Sequence, residues 1–232
     1  MKFKTVRTLS DVVREFDPTR ETTKHLLENV PSIDDFIALM ELKTGEIGLE
    51  LDRANSQVCA YNGALDGVDV KNIEIHNHPR GGFYPSVFDA GTTIREGRSV
   101  EYIIGKDCIT KISYKADKRI LICDSIDGGY DLPKVSFWER DLISGERVQI
   151  SFTVLRPDQI IDELAKREYT APTFIESYLV LPYQEQLYPP TNSVWVADII
   201  VMPRVNIGKM LQKHGFWQVF DLHFDWLNSS YK

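Results

Sequence analysis

The chain has few cysteines and no long apolar run. Its three cysteines, Cys59, Cys108 and Cys123, are widely spaced and form no Cys-x-x-Cys pair. The sequence therefore predicts neither a cysteine-bound structural zinc nor a disulfide framework, and we expect small buried thiols in a reducing compartment. No run of 18 apolar residues is present, and residues 1–16 lack the apolar centre of a secretion signal. We expect a cytoplasmic protein without a membrane span.

An excess of basic residues is also absent. The 232 residues include 27 Lys and Arg against 34 Asp and Glu, which gives a formal net charge of −7. General binding to nucleic acid or to an anionic membrane would need the opposite balance, so we expect neither partner. Hydrophobic residues make up 43% and charged residues 26%, as in ordinary globular proteins. A chain of this length can bury one full core, with room for a smaller appended unit.

Hydrophobic periodicity divides the chain into three predicted regions. Residues 1–40 predict a helical lead-in, residues 41–125 a domain of short strands, and residues 126–232 a C-terminal α+β region of unknown role. The helices expected in the lead-in are one capped by Ser10, one over residues 20–29 and one capped by Ser32. The strands expected in the other two regions are 46–52, 57–61, 100–105, 108–114, 119–123, 148–155, 174–181 and 194–202.

The tail of the chain is rich in aromatic residues. Residues 207–226 predict an amphipathic helix or a pair of helices that carries Phe216, Trp217, Phe220 and Trp226. Packing in the core or at a domain interface explains such residues most simply, and a surface for a protein partner is the alternative. No motif in this half of the chain indicates a chemistry.

The most informative stretch surrounds two histidines at a spacing of two. His76 and His78 end a short strand-like run, so both imidazoles leave the same face of the predicted strand. Pro79 ends that strand, and Ser86 is a good N-cap for a following helix with Asp89 in its first turn. This arrangement can bring two nitrogens and one carboxylate oxygen around one centre. A catalytic zinc site needs three such protein ligands, with the fourth position left to water.

The complete spacing resembles a known motif. His76-Asn77-His78-Pro79, then six residues, then Ser86-Val87-Phe88-Asp89 resembles the JAMM motif, also called JAB or MPN+, of zinc metallopeptidases. The His-Asn-His-Pro form looks most like prokaryotic and phage branches, including RadC-like proteins. The resemblance covers roughly residues 40–125 and implies an α/β (α+β) fold. That fold would be a three-layer, cytidine-deaminase-like domain with a mixed sheet flanked by helices.

The resemblance also implies a function and a role for each motif residue. It implies cleavage of a peptide or isopeptide bond in a protein substrate, with Zn²⁺ held by His76, His78 and Asp89. A glutamate on an early strand would take the proton of the zinc-bound water and pass it to the leaving amine. Ser86 would hydrogen-bond the oxyanion, a contribution of about 3 kcal/mol in other hydrolases.

The glutamate has several candidates. Glu46 and Glu50 share strand parity, and we choose Glu46 as the general base with Glu50 as the alternative. Glu74 lies on the strand of His76, whereas the family's acid comes from a separate strand, so Glu74 is disfavoured.

Other interpretations of the chain lead to different functions. An HNH nuclease is disfavoured because its motif residues are spread along a ββα unit. Phosphoesterases that open with His-x-His need further ligands, and the chain offers only the distant His214 and His223. The remaining alternative is a non-catalytic JAB-scaffold module for binding or assembly, in a phage or bacterium, which acts through the C-terminal half.

Overall fold

The computed structural model describes residues 3–19, 21–63, 68, 70–79, 82–83, 89, 92–93, 96–116, 134–140, 147–153, 173–180 and 195–229. The strands are β1 (Phe3–Arg7), β2 (Thr23–Leu27), β3 (Ile47–Asp52), β4 (Gln57–Asn62), β5 (Ile75–Asn77), β6 (Val100–Ile104), β7 (Cys108–Ala116), β8 (Lys134–Arg140), β9 (Arg147–Thr153), β10 (Thr173–Val180) and β11 (Trp195–Pro203). The helices of defined extent are α1 (Leu9–Arg14), α2 (Ile33–Glu41), α3 (Arg204–His214), α4 (Phe216–Val219) and α5 (Trp226–Ser229).

Nine strands form one mixed sheet. Their order is β1-β2-β4-β3-β5-β6-β7-β11-β10, and β8 pairs with β9 in a separate antiparallel ribbon. Within the large sheet, β1 with β2 and β5 with β6 are parallel pairs. The mixed α/β class predicted from the sequence is therefore confirmed, whereas the cytidine-deaminase-like arrangement stays a prediction.

The short strand β5, which carries His76, occupies the centre of this sheet. Gly48 of β3 lies opposite His76 on one side, and Ile103 of β6 lies opposite it on the other. All three residues of β5 are buried. A strand paired along both edges has its backbone fixed by two hydrogen-bond ladders, so the backbone of His76 is held rigidly in place.

The hydrophobic core lies on one face of the sheet. Leu49, Ile75 and Tyr102 belong to the same buried cluster as Phe36 of α2 and Ile207 of α3. Because side chains alternate along a strand, the neighbours of these strand residues point to the opposite face. That opposite face contains the polar side chains of the candidate site.

Most of the predicted strands are confirmed. The hairpin predicted over 46–52 and 57–61 is β3 with β4, and the pair predicted over 100–105 and 108–114 is β6 with β7. The strands predicted in the C-terminal region correspond to β9, β10 and β11. The strand predicted over 119–123 lies outside the described residues, and the described neighbour of β7 is β11.

The sequence predicts a helical N-terminal region, but the structure contains strands there as well as helices. Residues 20–29, predicted as a helix, contain strand β2, which pairs with β1 and β4. His25 and Leu27 are buried in an alternating pattern. Pairing on both edges of β2 gives this segment a strand conformation in spite of its helix-compatible composition. The first helix is also capped by Thr8 rather than by Ser10, whose hydroxyl instead donates to Asp35.

The aromatic residues of the tail pack in the core. Phe220 lies with its ring centroid 5.4 Å from Phe36, and Trp226 lies 5.3 Å from Tyr102. Phe216 is buried in the same cluster. Because β11 pairs along its whole length with β7, the sheet continues from the predicted central domain into the predicted C-terminal region. The predicted boundary between residues 125 and 126 lies outside the described residues and stays a prediction.

The sequence predicts no disulfide framework and no membrane span, and some of the described residues bear on each prediction. Cys59 and Cys108 are both free thiols, the first buried and the second partly buried, while Cys123 lies outside the described residues. Among the helices that the structure describes, none combines the length and the apolar character needed to cross a membrane.

Candidate metal centre

The two histidines of the motif face each other across a short gap. His76 ends up on the polar face of β5 because Ile75 and Asn77 alternate with it, and His78 follows two residues later on the same face. The Nε2 atoms of the two rings are 3.1 Å apart. The backbone N–H of His78 donates to the carbonyl oxygen of Ile104 at 3.3 Å, which holds the chain to β6 beyond the end of β5.

Asp89 completes the group. This residue is helical, and its Oδ2 lies 3.3 Å from Nε2 of His78 while Oδ1 lies 3.7 Å from Nε2 of His76. One ligand atom from each of the three residues falls within 4.8 Å of the other two. His76, His78 and Asp89 therefore form a group that can hold a metal ion.

The helical segment that carries Asp89 is anchored to the sheet by buried hydrogen bonds. Thr93, one turn after Asp89, donates its hydroxyl to Glu101 of β6 at 3.0 Å. Tyr114 of β7 also donates to Glu101, and burial raises the pKa of this carboxyl. Gly97 has a φ of +72° and the N–H of Arg98 donates to Thr93 O at 2.9 Å, so the helix ends at Gly97.

The role of Glu101 was missed by sequence reasoning. A carboxylate in the apolar strand sequence Val-Glu-Tyr-Ile-Ile of β6 is an anomaly that signals a buried polar contact. In the structure Glu101 is almost fully buried and contacts the segment that supplies Asp89.

Glu46 lies beside the histidines. It immediately precedes β3, it is buried, and its Oε1 is 4.0 Å from Nε2 of His76. Burial raises the pKa of the Glu46 carboxyl, and the nearby Asp89 adds to the effect, whereas the histidines oppose it. A buried carboxylate next to the candidate metal ligands is placed where a general base would be needed.

The other glutamates have partners elsewhere. Glu50 accepts from Lys24 Nζ at 2.7 Å and from the hydroxyl of Tyr61. Glu74 receives two hydrogen bonds from the guanidinium of Arg53, at 2.9 and 2.8 Å. Both carboxylates are thus engaged by side chains other than His76, His78 and Asp89.

Within the group, the pKa values of His76 and Asp89 depend on each other. Burial alone would lower the pKa of His76, but the hydrogen bond and the charge of Asp89, assisted by Glu46, raise it to about 9. Burial alone would raise the pKa of Asp89, but its hydrogen bonds to His76 and His78 hold it far below the usual range. Without a metal, the partly buried Asp89 and a buried, protonated His76 therefore form an ion pair.

The remaining motif residues lie partly outside the described residues. Ser86, predicted as helix cap and oxyanion donor, is among those that the structure does not describe, as are Arg80, Gly81 and Tyr84. His214 packs edge-on against Phe224 with centroids 5.1 Å apart, and His223 is exposed. Among the described residues, neither histidine belongs to a group that can hold a metal.

Comparison with known proteins does not extend these observations. No protein-family model, curated protein or solved structure matches this chain. A function can therefore be inferred only from the donor atoms and their surroundings.

The donor set fits a divalent transition metal. Two imidazole nitrogens and a carboxylate are ligands that zinc accepts, and iron, nickel and copper accept imidazole as well. One donor atom from each of the three residues lies within 4.8 Å of the other two. The residues present thus fit a bound metal, and their chemistry leaves the identity of that metal open.

Proposed function

We propose that the protein is a zinc-dependent hydrolase of the JAMM type that cleaves a peptide or isopeptide bond. The observation that carries this proposal is the convergence of His76, His78 and Asp89 next to the buried carboxylate of Glu46. The motif spacing supports the same assignment, because it combines the three ligands with Ser86 in the order of the JAMM motif. The finer fold, a cytidine-deaminase-like JAB domain, is part of this proposal.

Each residue has a role suited to its surroundings. His76, His78 and Asp89 would hold the metal, and zinc bound there would supply Lewis acidity and lower the pKa of a water molecule. Glu46 takes a proton from the attacking water and returns it to the leaving amine. Burial raises the pKa of Glu46 toward the range in which a carboxylate can do both near neutral pH. Ser86 donates a hydrogen bond to the developing oxyanion.

Metal content is the first test. Wild type, His78→Ala and the control His223→Ala would be purified without chelator and analysed by mass spectrometry for metals. We expect about one zinc per chain in wild type and in the control, and loss of the metal from His78→Ala, because His223 is exposed and outside the group. A wild-type chain that holds no zinc and takes none up would contradict the proposal.

Hydrolysis is the second test. Quenched fluorescent peptides and isopeptide-linked ubiquitin-like conjugates would be offered to the zinc-loaded wild type and to Glu46→Gln. Loss of a general base lowers the rate by roughly 100- to 10,000-fold, so Glu46→Gln should keep its zinc and lose its activity. Equal rates in the two proteins would exclude Glu46 as the base and leave Glu50 as the alternative to test.

A non-catalytic module for binding or assembly is the second candidate. It would act through the C-terminal half, where an aromatic surface for a protein partner was the alternative to core packing, but Phe216, Phe220 and Trp226 are in the core. The module becomes the better proposal only if the zinc test fails, since a scaffold without chemistry has no use for converging ligands.

A further inference from the structure

Asn77, the residue between the two histidines, has an unusual set of partners. It is almost fully buried, and its side chain bonds to the backbone on both sides of Glu46. The N–H of Ile47 donates to Asn77 Oδ1 at 2.8 Å, and Asn77 Nδ2 donates to the carbonyl oxygen of Gly45 at 3.3 Å. One amide group thus accepts from the peptide after Glu46 and donates to the peptide before it.

The sheet register explains why this contact matters. The last paired residues of β3 and β5 are Gly48 and His76, and one further step in the same antiparallel register sets Ile47 against Asn77. At that step the Asn77 side chain supplies the acceptor for the Ile47 N–H. The next step sets Glu46 against His78, on the face that also carries His76.

The Glu46 backbone is fixed by a third contact. Its own carbonyl oxygen accepts from the N–H of Gly63 at 2.7 Å. Gly45 has a φ of +84°, and a Cβ there would lie 2.1 Å from the ring of Phe16, so the chain turns sharply just before Glu46. This turn is followed by two peptide groups whose positions depend on the Asn77 amide.

We propose that Asn77 is a positioning residue that sets Glu46 against the metal ligands, an inference that rests on the proposed function. The same strand that presents His76 and His78 thereby also places the candidate base. Only an amide of this length offers an acceptor and a donor together: aspartate lacks the donor, and leucine lacks both. A displacement of about 1 Å in such a group lowers a reaction rate about 100-fold, so the contact matters for catalysis.

The experiment compares Asn77→Leu with Asn206→Leu, which removes a buried amide from α3. Asn77→Asp, which keeps the acceptor for Ile47, is the second variant in case Asn77→Leu does not fold. Three quantities would be measured: cobalt bound per chain and the pH dependence of its visible band, hydrogen exchange of the Ile47 amide, and kcat and KM for a peptide that wild type cleaves. Both leucine variants would also be made in the Glu46→Gln background.

The expected result has three parts. Asn77→Leu binds cobalt at the wild-type stoichiometry. The pH dependence of its visible cobalt band shifts in the same direction as in Glu46→Gln. The Ile47 amide exchanges faster in Asn77→Leu than in Asn206→Leu, while Asn77→Asp keeps most of the protection. Finally, kcat of Asn77→Leu falls about 100-fold while KM is unchanged. In the Glu46→Gln background, adding Asn77→Leu changes kcat by no more than about twofold.

Other outcomes overturn one proposal or the other. Loss of cobalt from Asn77→Leu, or rate losses that multiply with those of Glu46→Gln, would show that Asn77 acts on the ligands and not through Glu46. A wild-type cobalt band in Asn77→Leu beside a shifted band in Glu46→Gln would also refute the positioning role. Absence of hydrolysis in wild type would contradict the proposed function alone, because the cobalt and exchange measurements need no substrate.

Discussion

Single ionisable groups determine how the candidate centre behaves without metal. Asp89 faces two imidazoles whose Nε2 atoms are 3.1 Å apart, and its negative charge compensates the proton on His76. The same carboxylate is the third candidate ligand. Metal binding at this site therefore means exchanging a proton for a metal ion between groups that already face each other.

Zinc affinity should rise with pH up to about pH 9. The pKa of His76 is raised from 6.5 to about 9, so below that pH a proton must leave before Nε2 can bind metal. This one group should strengthen apparent binding about tenfold per pH unit between pH 7 and 9. Competition with a chelator of known protonation constants measures it. Affinity that stays flat over this interval would contradict a protonated His76.

The stability of the metal-free protein should change in the opposite sense. A raised pKa means that the folded state holds the proton more tightly than the unfolded state, so this contribution is fully present below pH 6.5. It is lost as pH rises through about 9. Urea unfolding of the metal-free protein at pH 6 and at pH 9 tests this, with Asp89→Asn as the variant that should lose most of the dependence.

The two segments that flank the ligands, one after His78 and one around Asp89, are held to the sheet by different kinds of contact. Gly82 and Phe83, which follow His78 in the chain, pack on the turn between β6 and β7, where a Cβ on Gly105 would lie 2.9 Å from Phe83 Cβ and 3.3 Å from Gly82 O. The helical segment of Asp89 is held instead by the hydrogen bond from Thr93 to Glu101. The first contact requires that residue 105 has no side chain, and the second requires the buried hydrogen bond between Thr93 and Glu101.

Gly105→Ala should displace Gly82 and Phe83, which follow His78 in the chain. The added Cβ would meet Phe83 Cβ and Gly82 O, which cannot swing away, and Cys108 Sγ at 3.2 Å. Overpacking should therefore cost about 1–3 kcal/mol and weaken zinc binding. The control is Gly208→Ala in α3, whose Cβ would meet Ile33 at an ordinary 3.5 Å. That variant should gain about 0.5–1 kcal/mol because alanine favours the helix. Urea unfolding and zinc titration distinguish the two.

Thr93→Val and Tyr114→Phe form a matched pair. Each removes one hydrogen bond to the buried Glu101 carboxyl, so each should lower the free energy of unfolding by about 1–3 kcal/mol. Only Thr93 lies on the segment that carries Asp89. Zinc affinity should therefore fall further in Thr93→Val than in Tyr114→Phe, and equal affinities would show that the anchor does not position Asp89.

Across the whole molecule, the C-terminal segment closes the core under the sheet. Arg53 donates to the carbonyl oxygen of Phe220 at 2.9 Å, and buried Lys111 donates to that of Phe224 at 2.7 Å. Trp226 packs on Tyr102 and donates its Nε1–H to Val219 O at 2.8 Å. The C-terminal helices thus pack on the same core as α2, on the face of the sheet opposite to the candidate site.

Trp226→Ala should destabilise the entire chain. The side chain is fully buried, and removing a large aromatic from a core costs about 3–5 kcal/mol. Trp217→Ala, at a partly buried position, should cost less. Unfolding would be followed both by far-ultraviolet circular dichroism and by zinc release. If zinc release kept its wild-type midpoint in Trp226→Ala, the tail and the candidate centre would not share one core.

The sequence by itself determined the local features. The spacing of His76, His78 and Asp89 predicted a ligand group, and the alternation over β3, β4, β6 and β7 predicted their strands, because side-chain period depends only on local backbone geometry. The expected zinc, the JAMM assignment and the role of Ser86 stay predictions.

Only the tertiary structure decided the rest. It made β2 a strand, because pairing with β1 and β4 outweighs weak helix propensity. It placed Glu46 beside His76 and paired Glu50 with Lys24, although both glutamates have the same strand parity. It also joined Asn77 to the backbone around Glu46, 30 residues away in the chain. Contacts between distant segments depend on how the whole sheet assembles, and periodicity within one segment carries no information about them.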